Sequence, residues 1–199
     1  KHQLGYEHPA LVVEVLDTVF GWENKFEDVR LDDLRKSCLE TTLVTTPEKS
    51  LDHFCRYFRS SSTYPYRKNL VLDILHRSMK QLDLKHLQDL ANSVFHHLLY
   101  DEGAIKEQDT VNRIPMIMFV SRLLCQLPAV MLREDQVAMF FDALTQLDYS
   151  VDSATQQTIR YAVHNVMQSL ADNTNLATTE KTQASIRSTR NWLQRLESN

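Results

Sequence analysis

The chain has 199 residues, 43% of them hydrophobic and 24% charged, with a formal net charge of −4. This composition excludes a disordered polymer, and a pI near 6.1 falls far from the strongly basic footprint of a dedicated nucleic-acid domain. Three glycines, five prolines and no Asn-Gly or Asp-Gly pair exclude a fold built on β-hairpin turns and predict an all-α protein with short connections.

Nine helical segments follow from apolar spacing. The first, His8 to Phe20, has Pro9 in its first turn and stops at Gly21. The second, from about Asp28 to Val44, aligns Leu31, Leu34, Cys38 and Leu39 as its core stripe. Thr46-Pro47 reads as an N-cap and first helical residue, opening a third helix with Leu51, Phe54, Cys55 and Phe58 at i, i+3, i+4, i+7. The loop SSSTYP, 60–65, ends it. A fourth helix carries Leu70, Val71, Ile74, Leu75 and Met79. Asp83 caps a fifth with Leu84, Leu87, Leu90, Ala91, Val94, Phe95 and Leu98 on one stripe.

The sixth segment contains the most apolar run of the chain, Ile114 to Val120, with Asp109 as its expected cap. Pro115 inside it is expected to kink the helix or mark its true start. A membrane span needs about 20 apolar residues. Arg113, Ser121 and Arg122 break this run far sooner, so it reads as a helix buried among other helices. Pro128 ends it. The seventh helix, about Arg133 to Leu147, carries Val137, Phe140, Phe141 and Leu144. The eighth starts at the capping-box pattern SATQ, 153–156, and carries Ile159, Val163, Val166, Met167 and Leu170. The ninth, about Thr179 to Glu197, is more polar, with Ile186, Leu193 and Leu196 as its expected stripe.

Paired-helix units begin near Pro9, Pro47, Leu84 and Arg133, about 37 to 50 residues apart, which brackets the roughly 40–47-residue period of HEAT and armadillo units. In segment length and apolar spacing most of the chain resembles this class of helical repeat. The resemblance implies one domain, 1–199, a right-handed α-solenoid of antiparallel hairpins over 8–44, 47–80, 84–127 and 133–172, with a terminal capping helix over 179–197. A compact α-superhelical bundle has the same segments, and the spacing leaves it open. The start at Lys1-His2-Gln3, without Met, leads us to expect a piece of a longer protein. No signal-peptide pattern occurs. Cys38, Cys55 and Cys125, odd in number and far apart, fit a reducing compartment, cytoplasm or nucleus.

Enzyme signatures are missing. Glycines at 5, 21 and 103 build no phosphate-cradling loop, and there is no Gly-x-Ser-x-Gly, Ser-x-x-Lys, His-Glu-x-x-His or zinc-spaced cysteine pair. His96 and His97 point about 100° apart on a helix, a poor joint metal site even with Asp101 on the face of His97. The acid pairs Asp32-Asp33, Asp101-Glu102 and Glu134-Asp135 sit where they complement helix starts. We therefore expect no catalysis, no cofactor, no metal and no small-molecule substrate.

The chemical candidate is HFCRYFRSSSTYPYRKN, 53–69. Residues 47–86 hold eight Lys/Arg against four Asp/Glu, +4 in a chain of −4. Arg56, Arg59, Arg67 and Lys68 cluster about one loop with Tyr64 and Tyr66, a composition suited to phosphates and unpaired bases or to an acidic peptide. Asp52 four residues before Arg56 and Asp73 four before Arg77 supply local partners that favour an ordinary solvated face. Serines 60–62 beside Arg59 are open to phosphorylation and are equally explained as loop composition. The expected function is a scaffold holding another protein, as a peptide or helical domain, away from any membrane. RNA or single-stranded nucleic-acid binding through 56–68 is the alternative.

Overall fold

Proline opens the first helices of this chain, because its fixed φ suits the first turn and its missing N–H is not needed there. α1 (Pro9–Gly21), α3 (Pro47–Arg59) and α4 (Pro65–Ser78) all begin this way. The computed structural model describes residues 9–24, 28–99, 110–147, 152–171 and 179–197. Among them every regular element is helical: α2 (Val29–Thr45), α5 (Leu84–Val94), α6 (Thr110–Gln126), α7 (Glu134–Thr145), α8 (Ser153–Ala171) and α9 (Glu180–Glu197) complete the nine helices. A π-turn, Phe95–Leu99, and a 3-10 turn, Ala129–Met131, stand between them. No described helix is long and apolar enough to cross a membrane. The chain divides into two compact units, Lys1–Ser93 and Val94–Asn199.

In the first unit α1 packs on α2 and α3, α2 on α3 and α4, and α3 on α4. The core is Val12, Leu16 and Phe20 of α1 with Leu51, Phe54, Cys55 and Phe58 of α3 and Val71, Ile74 and Leu75 of α4. Phe20 meets Phe54 edge-on at 4.9 Å and stacks on Tyr57 at 4.2 Å. Each such side chain, fully buried, contributes about 1.5–3 kcal/mol.

α2 departs from expectation. Its buried face is Arg35, Leu39 and Leu43, whereas Leu31 and Leu34 are exposed and Cys38 is half-buried. Both faces carry leucines at helical spacing, and the end of α1 favours the one with Arg35, because its carbonyls need a donor. Arg35 Nε donates to the Val19 carbonyl at 3.1 Å and Nη2 to that of Phe20 at 2.7 Å. A cation at the negative end of the α1 macrodipole is stabilising in itself.

Thr46 closes α2 and stands at the N-cap of α3, as expected, with Pro47 as the first residue of that helix. Its hydroxyl donates to the Thr42 carbonyl at 2.7 Å and makes no cap bond to α3. Asp83 caps α5 as expected, accepting from the His86 amide at 2.9 Å. Leu84, expected in the core stripe of α5, is exposed, while Leu87, Leu90, Ala91 and Val94 are buried.

In the second unit the principal pairs alternate along the chain: α6 with α8 and α7 with α9. The hairpin expected over 133–172 is therefore not the dominant pairing, since α7 packs mainly on α9. The apolar run of α6 is buried as expected, with Met116, Ile117, Phe119 and Val120 inside. Ser121 satisfies its hydroxyl on the Ala162 carbonyl of α8 at 3.3 Å. Pro115 lies within α6 and does not mark its start. Asp109 falls outside the described residues.

Asp152, not the SATQ serine, caps α8. Its carboxylate accepts from the Thr155 amide at 2.9 Å and the Thr155 hydroxyl at 2.7 Å. The face of α9 also differs from expectation. Ile186 is buried, but Leu193 is only half-buried, and the rest of the inward face is Thr182, Ser185, Thr189 and Trp192. Partners on or just after α7 make that polarity tolerable: Ser185 donates to Asp142 at 3.0 Å and Trp192 to the Leu147 carbonyl at 3.1 Å.

Candidate functional site

The basic–aromatic region spans the end of α3, the 60–64 loop and the first turn of α4. Thr63 anchors the loop by donating to the Tyr57 carbonyl at 2.8 Å, and Ser60 and Ser62 share a hydroxyl contact at 2.7 Å. Pro65 then starts α4, so Tyr64 and Tyr66 flank the helix start and stand in solvent, 61% and 57% exposed. Their rings lie nearly parallel with centroids 6.0 Å apart.

The four cations of the region do not converge on a common point. Arg56 is exposed and pairs with Asp52 at 2.5 Å, one helical turn before it. Arg59 is exposed at the last position of α3. The Lys68 ammonium lies 5.6 Å from the centre of the Phe58 ring. Arg67 is the most engaged: its side chain is only 14% exposed, and its Nε donates to the Tyr66 hydroxyl at 3.0 Å. Its guanidinium lies 5.8 and 5.6 Å from the Tyr64 and Tyr66 ring centres, within cation–π range. Burial acts against that charge, but hydrogen bonds with the Tyr57 and Tyr66 hydroxyls outweigh it and raise the Arg67 pKa above its ordinary value.

Arg67 leads to a second region that sequence reasoning missed. Its Nη2 lies 3.6 Å from Glu23, which follows α1, and Glu23 lines a small open pocket with Trp22, Asn24, Leu31, Asp32 and Arg35. Burial, and then the positive charge of Arg67, hold the Arg35 guanidinium below its ordinary pKa. Trp22 is 49% exposed. Exposed apolar side chains also lie on both helices that flank this pocket. On α1, Leu11 and Val15 are exposed one turn apart, and Trp22 follows the helix end; on α2, Leu34 lies one turn beyond Leu31 and is 58% exposed.

One signal in the sequence pointed to this surface. α1 carries seven large apolar residues, Leu11, Val12, Val13, Val15, Leu16, Val19 and Phe20, more than a single core face consumes. Of the stripe expected on α2, Leu39 is buried, Cys38 is half-buried, and Leu31 and Leu34 face outward.

The remaining candidates assemble no chemistry. His96 and His97 lie in the π-turn with rings edge-to-face at 4.6 Å, and Asp101 is outside the described residues. Among the described residues no three metal-ligating groups come together. Cys55 is fully buried, and burial pushes its thiol far above the ordinary range, which removes it as a nucleophile. Comparison with known proteins finds no matching family model, no matching curated protein and no matching solved structure.

Proposed function

We propose that this chain is a non-catalytic helical scaffold that holds a partner protein, built as a HEAT/armadillo-type stack of helix pairs. Packing between next-but-one helices within each unit supports the stacked arrangement, since that is how successive pairs of a solenoid bury their stripes. The observation that carries the scaffold reading is the set of exposed apolar side chains on and beside α1 and α2 among the described residues, Leu11, Val15, Trp22, Leu31 and Leu34. Side chains that could complete a core stand in solvent there, and such a patch is the ordinary mark of an interaction surface. The free state of Cys38, Cys55 and Cys125 favours a reducing compartment, the cytoplasm or nucleus.

Co-purification from the native source tests this reading. Wild type should retain a stoichiometric protein partner, and Leu31→Gln/Leu34→Gln should lose it without a change in melting temperature. Recovery of chaperones alone overturns it.

A second reading, binding of RNA or single-stranded nucleic acid at Tyr64 and Tyr66, draws on the exposure of those two rings beside Arg67. Charge reversal of Arg56, Arg59, Arg67 and Lys68 together should then abolish retention of labelled RNA at low salt. A wild-type chain that fails to shift RNA under those conditions removes this reading.

A further inference from the structure

We infer that the occupant of the α1–α2 face is a basic amphipathic helix of a partner protein; this rests on reading that face as a docking surface. The apolar content specifies a helix-sized stripe. Leu11 and Val15 lie one turn apart on α1, with Trp22 just past its end, and Leu31 and Leu34 lie one turn apart on α2. Within the unit α1 and α2 pack on each other, and both pack on α3. A helix laid on the free face would repeat that mode of packing, with its own i, i+3, i+4, i+7 anchors.

Charge specifies the sign of the occupant. The described segment 9–24, which includes all of α1, contains Glu14, Asp17 and Glu23 and no lysine or arginine. Over 9–36, seven acids (14, 17, 23, 27, 28, 32, 33) stand against four bases (25, 30, 35, 36), a net −3. Of those bases Arg35 is turned inward to the Val19 and Phe20 carbonyls. Glu14 is exposed on α1, and Asp32 edges the pocket between Trp22 and Leu31, which Arg35 also lines and where Glu23 stands 3.6 Å from Arg67. An apolar stripe with an acidic rim attracts lysine and arginine flanking a leucine face and repels an acidic helix. The Trp22 indole adds a cation–π surface for those side chains.

The full chain is titrated with three synthetic peptides about five turns long. One is a leucine-striped helix with lysines elsewhere, one its glutamate counterpart, and one a scrambled lysine peptide of the same composition. Tryptophan emission is the readout, because Trp22 is half-exposed and Trp192 is buried. The lysine helix should bind with a blue shift and weaken as salt rises. Its affinity should fall about tenfold in Leu31→Gln/Leu34→Gln and in Glu14→Lys, at unchanged melting temperature.

Equal binding by the scrambled or glutamate peptide overturns the inference. So does a self-dimer in sedimentation that Leu34→Gln dissolves, since a second copy then owns the face. A native partner lost in Leu31→Gln/Leu34→Gln, together with failure of the lysine helix, overturns the basic occupant and leaves the scaffold reading standing. Failure of both removes both.

Discussion

α9 and the α1–α2 pair each depart from the rule of apolar inside and polar outside, in opposite directions. α9 turns Thr182, Ser185 and Thr189 inward, and the α1–α2 pair turns Leu11, Val15, Leu31 and Leu34 outward. The polar face of α9 is largely satisfied within the fold. Thr189 donates to the Ser185 carbonyl at 2.9 Å and Ser185 to Asp142, with Thr182 the exception whose hydroxyl finds no partner. A buried hydroxyl can be satisfied by a carbonyl one turn back or by a group on the helix it packs against, so a polar helix face can be packed within the fold. Exposed leucines have no such local remedy. Only another surface can take them out of water, which is why the α1–α2 face reads as a site and the α9 face as structure.

The largest expected effect tests the closed face. Trp192→Ala removes a buried indole and its bond to the Leu147 carbonyl, and should cost about 3–5 kcal/mol by urea denaturation. A loss below about 1 kcal/mol would mean that α9 is not seated through this ring.

Arg35→Met tests the base of the open face. The methionine keeps the apolar stem and leaves the Val19 and Phe20 carbonyls without their donor, at a cost of about 2 kcal/mol. Buried charges are sometimes replaced with a gain in stability. A rise in melting temperature would therefore mean that Arg35 does not hold the end of α1.

The smallest effect is acid sensitivity of the caps, one in each unit. The Thr155 hydroxyl holds Asp152 below its ordinary pKa, and the His86 amide does the same to Asp83. Both folded forms favour the ionised carboxylate. Their contribution is full above the ordinary value, about 3.9, and is lost as pH falls from there through the lower folded values. Asp83→Asn and Asp152→Asn should each flatten the fall in melting temperature over that window. A slope unchanged in both variants would remove the caps from the acid response.

Much of the fold was legible because its signals are local. Pro47, Pro65 and Asp83 act on backbone groups within one turn of themselves, and Phe54, Cys55 and Phe58 form the only apolar stripe that α3 possesses. α2 was illegible for the opposite reason. Both its faces carry leucines, and the one with Arg35 is favoured by carbonyls sixteen and fifteen residues away at the end of α1. The basic–aromatic loop was found from composition. Its engagement was not, since Glu23 lies far from Arg67 in sequence and Tyr57 is turned to stack on Phe20.

By itself the amino-acid order determined that the described chain is a set of helices, where most of them begin and end, and that Met116, Ile117, Phe119 and Val120 are buried. Helix starts and apolar periodicity are properties of a few consecutive residues. Tertiary structure decided which face of α2 and of α9 turns inward, and left Trp22, Leu31 and Leu34 in solvent. The reason is that a helix with two serviceable faces is oriented by the carbonyls, hydroxyls and rings its neighbours present, and those neighbours are close only once the chain has folded.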